Sequence, residues 1–271
     1  MSRPQVMGIV NVTPDSFSDG GRLASVEAAV AHGLRLVEQG VDILDIGGES
    51  TRPGAEPVAE AEEIARVVPV IEGLRAHWAG PISIDTMKPA VARAAVAAGA
   101  TMWNDVTALA FAPDSPATAA ELGCEVVLMH MRGEPRTMQA DPQYGDVVAE
   151  VADWLVARAD AAMAAGVARG RIWLDPGIGF GKTAAHNLAL TAQLERLAAT
   201  GFPVLYGASR KRTIQSVDPT ATDPADRLGG SLALALAAAR AGASILRVHD
   251  VRETVQALAV QAAVMAAADR N

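Results

Sequence analysis

Arg247 and His249, in the run Arg-Val-His, stand two residues apart, so on an extended strand both side chains leave the same face. A fixed guanidinium beside an imidazole can hold a diphosphate through charge-assisted hydrogen bonds. A core histidine with satisfied hydrogen bonds is the plainer alternative for His249. A second basic run, Ser209-Arg210-Lys211-Arg212, precedes this pair. Two carboxylates and an amide, Asp85, Asp175 and Asn104, sit at the ends of strand-like runs. Brought together, they would form a donor and acceptor set for a flat heterocycle, because one carboxylate can accept two N–H groups from an amidine-like edge. Local roles compete with this reading. Asp85 could cap the helix that follows through the amides near Lys88, and Asp175, in Leu-Asp-Pro-Gly, could shape a turn.

The run Pro-Gly-Ile-Gly-Phe-Gly-Lys-Thr at 176–183 invites two phosphate-loop readings and satisfies neither. A Walker A loop needs glycine where Pro176 stands, and the dinucleotide fingerprint fails because the glycines alternate. The run is then either a flexible loop after a strand or a loop passing close to a ligand, with Phe180 available for stacking. His130 lies between Met129 and Met131, and a structural hydrogen-bonding role stands open beside a functional one. The insertions 12–24 and 47–60 are rich in Gly, Ser, Asp and Pro. They suit lids that order over a substrate, or else ordinary surface loops.

Eight short β-rich runs must position these residues: 6–11, 41–46, 81–85, 102–106, 125–130, 171–175, 203–207 and 243–249. Many are nearly continuous apolar runs, as expected of strands covered by helices. Helical spacing recurs between them. Val26, Val30, Leu34 and Val37 form one apolar stripe with Ser25 as its expected N-cap. Val147, Val151, Trp154 and Leu155 form another, and Leu190, Leu194 and Leu197 a third. The last helix is expected to open at Asp250 with a capping box through Glu253. Glycines such as Gly40, Gly99 and Gly166 stand where helices should end. Eight βα units without a break in composition predict one domain over 1–271, an α/β chain folded as a (β/α)8 TIM barrel, with a doubly wound open sheet as the alternative. The runs end in Asn11, Asp45, Asp85, Asn104, His130, Asp175, Ser209 and His249. In a barrel these ends converge on the rim where active sites form, and phosphate sites often follow strands seven and eight.

The formal net charge of −8 argues against a nucleic-acid binder, which would carry a basic stripe. Short basic runs on an acidic chain suit capture of a small anion. No apolar run approaches the length of about 18 residues that a membrane helix needs, and Met1 to Gln5 do not read as the start of a signal peptide. The lone cysteine, Cys124, excludes an internal disulfide framework and a multi-thiolate zinc site. A cytoplasmic location is expected.

Eight motifs stand in order along the chain: MGIVNVTPDSFSDGG (7–21), DIGGESTRPGA (45–55), ISIDTMKP (82–89), WNDV (103–106), LMHMRGEPRTMQ (128–139), LDPGIGFGK (174–182), SRK (209–211) and RVHDV (247–251). Through them the chain resembles the dihydropteroate synthase family over nearly its whole length. The resemblance implies a pterin pocket lined by Met129, Phe180 and Gly207, with Asp85, Asn104, Asp175 and Lys211 holding the pterin. It implies a diphosphate held by Asn11, Arg247 and His249, with Mg²⁺ bridging it near Asn11. A p-aminobenzoate site is implied at Thr51, Pro53, Phe180 and the start of the helix after Lys211, with Ser209 and Arg212 beside it. Asp19 and Arg52 would pair when the two loops close. Catalysis would then rest on Asp85, Asp175, Lys211, Arg247 and His249, with diphosphate leaving before the arylamine attacks. A homodimer through the later helices is implied as well.

Three positions depart from the family's pattern. Arg212 stands where many members have serine, and Ala208 and Gln215 replace a larger apolar residue and a glycine. Two other functions on such a barrel compete. A pterin-dependent methyltransferase would lack the first-loop motif and the SRK and RVH anion site. Against a catalytically silent pterin- or folate-binding module stands the completeness of that anion site.

Overall fold

Among the described residues every strand lies parallel to its neighbours in one eight-stranded sheet. The strands are β1 (Gln5–Asn11), β2 (Ile43–Gly47), β3 (Ile82–Asp85), β4 (Met102–Asp105), β5 (Glu125–Met129), β6 (Ile172–Asp175), β7 (Leu205–Tyr206) and β8 (Ile245–Val248). The computed structural model describes residues 3–12, 21–50, 56–133 and 138–268. The sheet order is β6-β5-β4-β3-β2-β1-β8-β7. Its two edges meet through a parallel bridge between Leu174 and Val204, with the Leu174 amide donating to the Pro203 carbonyl at 3.0 Å. A sheet in chain order whose edges meet is a nearly closed (β/α)8 barrel and rules out the doubly wound alternative.

Among the described residues ten α-helices alternate with the strands: α1 (Gly21–Glu38), α2 (Glu60–Arg75), α3 (Pro89–Ala97), α4 (Ser115–Leu122), α5 (Val147–Ala164), α6 (Ala184–Ala192), α7 (Leu194–Ala198), α8 (Arg212–Val217), α9 (Leu228–Arg240) and α10 (Val251–Ala268). Each of the eight predicted strands is present. The helix boundaries correct the sequence reading in two places. α1 begins four residues before Ser25, which is therefore inside the helix and not its cap. The stripe Leu190, Leu194, Leu197 is broken at Gln193, whose φ of −121° separates α6 from α7. The last helix starts at Val251, directly after Asp250 as expected, and both Asp250 carboxylate oxygens accept from the Arg210 guanidinium, bracing the preceding loop. The glycines expected at helix ends do take positive φ, for example +115° at Gly99 and +108° at Gly166.

Strand alternation divides the barrel. Val6, Val10, Leu44, Ile46, Leu246 and Val248 point outward into the main core beneath the helices. Met7, Ile43, Met102, Val127, Leu205 and Ile245 point inward and form a separate apolar plug, with Trp173 against it. Two residues further along β2, β4, β6 and β8, the inward positions become Asp45, Asn104, Asp175 and Arg247. Ordinary pleating thus carries one side of the barrel lumen from an apolar floor to a polar mouth. Among the described residues no helix is long and apolar enough to cross a membrane.

Candidate active site at the barrel mouth

Sheet register sets the first level of the site. Asn11 pairs with Gly47, Gly47 with Asp85 and Asp85 with Asn104. Gly47 leaves the space between its neighbours open: a Cβ there would stand 3.7 Å from Asp85 Cβ and 3.8 Å from Asn11 Oδ1. Arg247 starts lower in the barrel, level with Met7. Its Nε donates to Asp45 Oδ2 and its Nη2 to Asp85 Oδ2, both at 2.6 Å. Asn104 Nδ2 also donates to Asp45 Oδ2, at 3.3 Å. The remaining oxygens, Asp45 Oδ1 and Asp85 Oδ1, are buried with no hydrogen-bond partner among the described residues. Buried acceptors without donors are costly unless a ligand supplies them.

Burial raises the Asp85 pKa to about 7; the Arg247 charge opposes the rise and the Asp45 charge adds to it. Asp85 does not cap α3. Lys88 stands at that cap with extended backbone, no side chain bonds there, and Pro89 opens the helix. Gly207 gives Arg247 room, since a Cβ on it would lie 3.6 Å from Arg247 Cβ.

A second group lies at β6 and the loop after it. Asp175 Oδ1 accepts the Gly177 amide at 2.7 Å, so the turn-shaping role is real and occupies one of its oxygens. Burial raises the Asp175 pKa, and the Lys211 charge opposes it. Lys211 Nζ donates to the Ile178 carbonyl at 2.5 Å and lies 4.8 Å from the centre of the Phe180 ring. Burial lowers the Lys211 pKa to about 8, against the pull of Asp175. Met129 is buried and pairs with Asp175 across the sheet.

The loop at 176–182 curls tightly. Gly177 and Gly181 have φ of +64° and +62°, and a Cβ on either would fall 1.9 Å from the His130 carbonyl oxygen or 2.2 Å from that of Arg132. Only glycine fits there. The alternating glycines therefore serve close backbone packing.

The basic runs separate into different jobs. His249 Nδ1 lies 3.0 Å from Ser209 Oγ, which also accepts the His249 amide at 3.2 Å. The Ser209 hydroxyl is committed to orienting that ring. Arg210, at φ +58°, is held by Asp250 at 2.5 and 3.0 Å. Arg212 is exposed at the first residue of α8.

His130 takes the structural alternative. Its Nδ1 lies 2.9 Å from Lys182 Nζ and its ring meets Trp154 edge-on at 4.9 Å. Burial drives its pKa down to about 3, with the Lys182 charge helping, so the ring stays neutral. Of the departures, Gln215 Oε1 accepts from the buried Arg227 at 3.0 Å, and Ala208 is buried. Asp19, Thr51, Arg52 and Pro53 lie outside the described residues.

Two features escaped the sequence reading. Asp45 was seen only as a polar strand end, although the alternation Ile43, Asp45, Gly47 puts it inside the barrel. Lys88 is buried at 7% exposure and donates to Glu49 Oε2 at 2.9 Å, Glu63 Oε2 at 2.7 Å and the Val58 carbonyl at 2.5 Å. No local spacing announces that cluster, because its members come from three separate segments.

Carboxylates, an amide, a lysine and an arginine at the mouth of such a barrel suit a nitrogen heterocycle. The family described as "Pterin binding enzyme" matches residues 7–249, which puts the chain in the class of pterin-binding enzymes. A dihydropteroate synthase of Escherichia coli (strain K12) is 46% identical over 271 residues, 100% of this chain and 95% of that relative. One from Neisseria meningitidis serogroup B is 49% identical over 96% of this chain and 92% of its own length. The Xanthomonas albilineans dihydropteroate synthase solved with 4-aminobenzoic acid superposes with a TM-score of 0.92 at 57% identity, over 98% of this chain and 94% of that one. The same enzyme in complex with 7,8-dihydropteroate gives 0.89 at 54%, over 98% and 95%. The chain belongs to the dihydropteroate synthase family.

Proposed function

We propose that this barrel condenses 6-hydroxymethyl-7,8-dihydropterin diphosphate with p-aminobenzoate, giving 7,8-dihydropteroate and diphosphate for folate synthesis. The observation that carries the reading is the pair of buried, unpartnered oxygens on Asp45 and Asp85 beside Asn104. They are acceptors waiting for donors, and a pterin edge is rich in N–H groups. The Asp175 oxygen not taken by Gly177 would accept the edge bearing the 2-amino group, with Lys211 and Phe180 closing the pocket.

Asn11, Arg247 and His249 would hold the diphosphate. Only two guanidinium N–H groups of Arg247 are used by Asp45 and Asp85, and a guanidinium has five. The Ser209 hydroxyl, 3.0 Å from His249 Nδ1, orients that ring at the end of β8. Departure of diphosphate breaks the C–O bond at the pterin methylene with both electrons on oxygen. The electron-rich ring would support the resulting cation until the arylamine nitrogen attacks and loses a proton.

Among the described residues no three His, Cys, Asp or Glu side chains cluster to hold a metal. A Mg²⁺ carried by the diphosphate with Asn11 as its protein ligand needs no such cluster, because this ion keeps waters and substrate oxygens around it. When bound it would neutralise charge on the leaving group. Asp19, Thr51, Arg52, Pro53, Phe180, Ser209 and Arg212 remain our proposed p-aminobenzoate and loop-closure set. A homodimer is part of the proposal, supported by the exposed Val260, Val264 and Met265 of α10.

The test is a mass-spectrometric assay for dihydropteroate with both substrates and Mg²⁺. Product that requires all three supports the synthase. No product from protein that still binds the pterin diphosphate would overturn it in favour of a binding module.

A further inference from the structure

The loop between β6 and α6 has no regular ladder, yet each carbonyl from Gly177 to Gly181 accepts from a side chain. The Gly177 and Phe180 carbonyls accept from Lys182 Nζ, each at 3.0 Å. The Ile178 carbonyl takes Lys211, that of Gly179 takes Gln139, and that of Gly181 takes the Tyr144 hydroxyl at 2.9 Å. Lys182 alone serves two of them. It also reaches the end of β5, with the His130 carbonyl at 3.2 Å and His130 Nδ1 at 2.9 Å.

Lys182 is 3% exposed. An ammonium has three N–H donors, and four acceptors already surround this one, so none is left for a ligand. It works from behind the loop. Without it, the carbonyls of residues 130 and 180 would lose the Lys182 donor and that of Gly177 would keep only the Phe180 amide at 3.1 Å, and unpaired buried carbonyls are expensive. The loop would have to open.

We propose that Lys182 is a positioning residue for the pterin half of the site, fixing the curl that aims Asp175, Lys211 and Phe180. Each is linked to that curl. The Gly177 amide holds Asp175 Oδ1 at 2.7 Å. The Ile178 carbonyl holds Lys211 Nζ, which lies 4.8 Å from the Phe180 ring centre. Lys182 touches no substrate; it decides where three groups that do are standing. The inference rests on the pterin reading above.

The test compares wild type, Lys182→Met and Lys182→Gln. Binding of 6-hydroxymethyl-7,8-dihydropterin diphosphate is measured by calorimetry, and steady-state kinetics are run in both substrates. The glutamine variant retains an amide donor and covers poor folding of the apolar one. Expected is a loss of at least about tenfold in pterin diphosphate affinity with a matching rise in its KM, and a clearly smaller rise in KM for p-aminobenzoate, which shares only Phe180 of the three groups. Folded variants that bind the pterin diphosphate as wild type does, or lose both substrates equally, overturn the proposal. So does failure of both variants to fold, since Lys182 would then determine the fold and not the site. Wild type that does not bind the pterin diphosphate would overturn the proposed function itself, an outcome distinct from the others.

Discussion

Replacing Arg247 by Met would leave two buried carboxylates facing one another. In the native barrel its Nε and Nη2 each lie 2.6 Å from a carboxylate oxygen, on Asp45 and Asp85. The three side chains are 21%, 0% and 11% exposed, so water can replace little of what the guanidinium supplies. Removing one partner of a buried pair costs roughly 3–5 kcal/mol. The protein has one escape. Asp85 already has its pKa raised to about 7 by burial, with Arg247 pulling it down. Without the arginine the value rises further and the carboxyl takes up a proton.

The cost is therefore pH-dependent. An acid with a higher pKa folded than unfolded binds more protons in the folded state, so stability falls as pH rises between the two values. Arg247→Met extends that fall to higher pH. Urea denaturation followed by tryptophan fluorescence should show a loss of about 3 kcal/mol near about pH 8.5. The loss should be smaller by at least about 1.4 kcal/mol, the weight of one pKa unit, near about pH 5.5. Adding Asp45→Asn should recover part of the loss at the higher pH. A loss below about 1 kcal/mol, or an equal loss at both pH values, would refute the charge argument.

Asp175→Asn keeps an acceptor for the Gly177 amide but cannot accept two N–H groups from an amidine edge; pterin binding by calorimetry should vanish while the melting temperature holds, and unchanged affinity would sink the pterin assignment. Gly177→Ala puts a methyl 1.9 Å from the His130 carbonyl oxygen at φ +64°. It should cost more than about 2 kcal/mol in a thermal melt, and a smaller cost would mean that the loop relaxes freely. Lys88→Met strands Glu49 and Glu63, at 9% and 0% exposure. Denaturation should show a loss of roughly 3–5 kcal/mol, and a loss below about 1 kcal/mol would refute the buried-pair reading.

The barrel was legible because each strand and its following helix carry their own periodic signal. The rim was legible because polar residues end strands that are otherwise apolar, and pleating then dictates which of them face the lumen. Long-range pairing was not legible. Nothing local to Asp45 announces that a guanidinium some two hundred residues away, Arg247, will hold it. Likewise Lys88 and Lys182 look like ordinary cations until the fold wraps carbonyls and carboxylates around them. The Asp85 cap failed for a related reason: a distant arginine is a stronger partner for that carboxylate than the backbone amides of a helix start.

These pairings also explain how one pocket could serve a ligand that is donor-rich at one end and anionic at the other. Inside the barrel stand three carboxylates, Asp45, Asp85 and Asp175, against two cations, Arg247 and Lys211. With all of them ionised the interior is negative by one charge, which welcomes N–H donors and repels phosphate. The anion must then be held further out, at the ends of the strands. Asn11 stands at the end of β1, His249 lies just beyond β8, and Ser209 fixes the ring of His249. Arg247 spans the two zones. It quenches repulsion between the inner carboxylates and keeps N–H groups for the leaving group. A substitution there should therefore weaken both ends of the ligand together, whereas His249→Ala should weaken diphosphate binding and leave the affinity for a pterin without diphosphate unchanged. Calorimetry with the free pterin and with the pterin diphosphate separates the two cases. Equal losses for His249→Ala on both ligands would mean that the charge zones are not distinct.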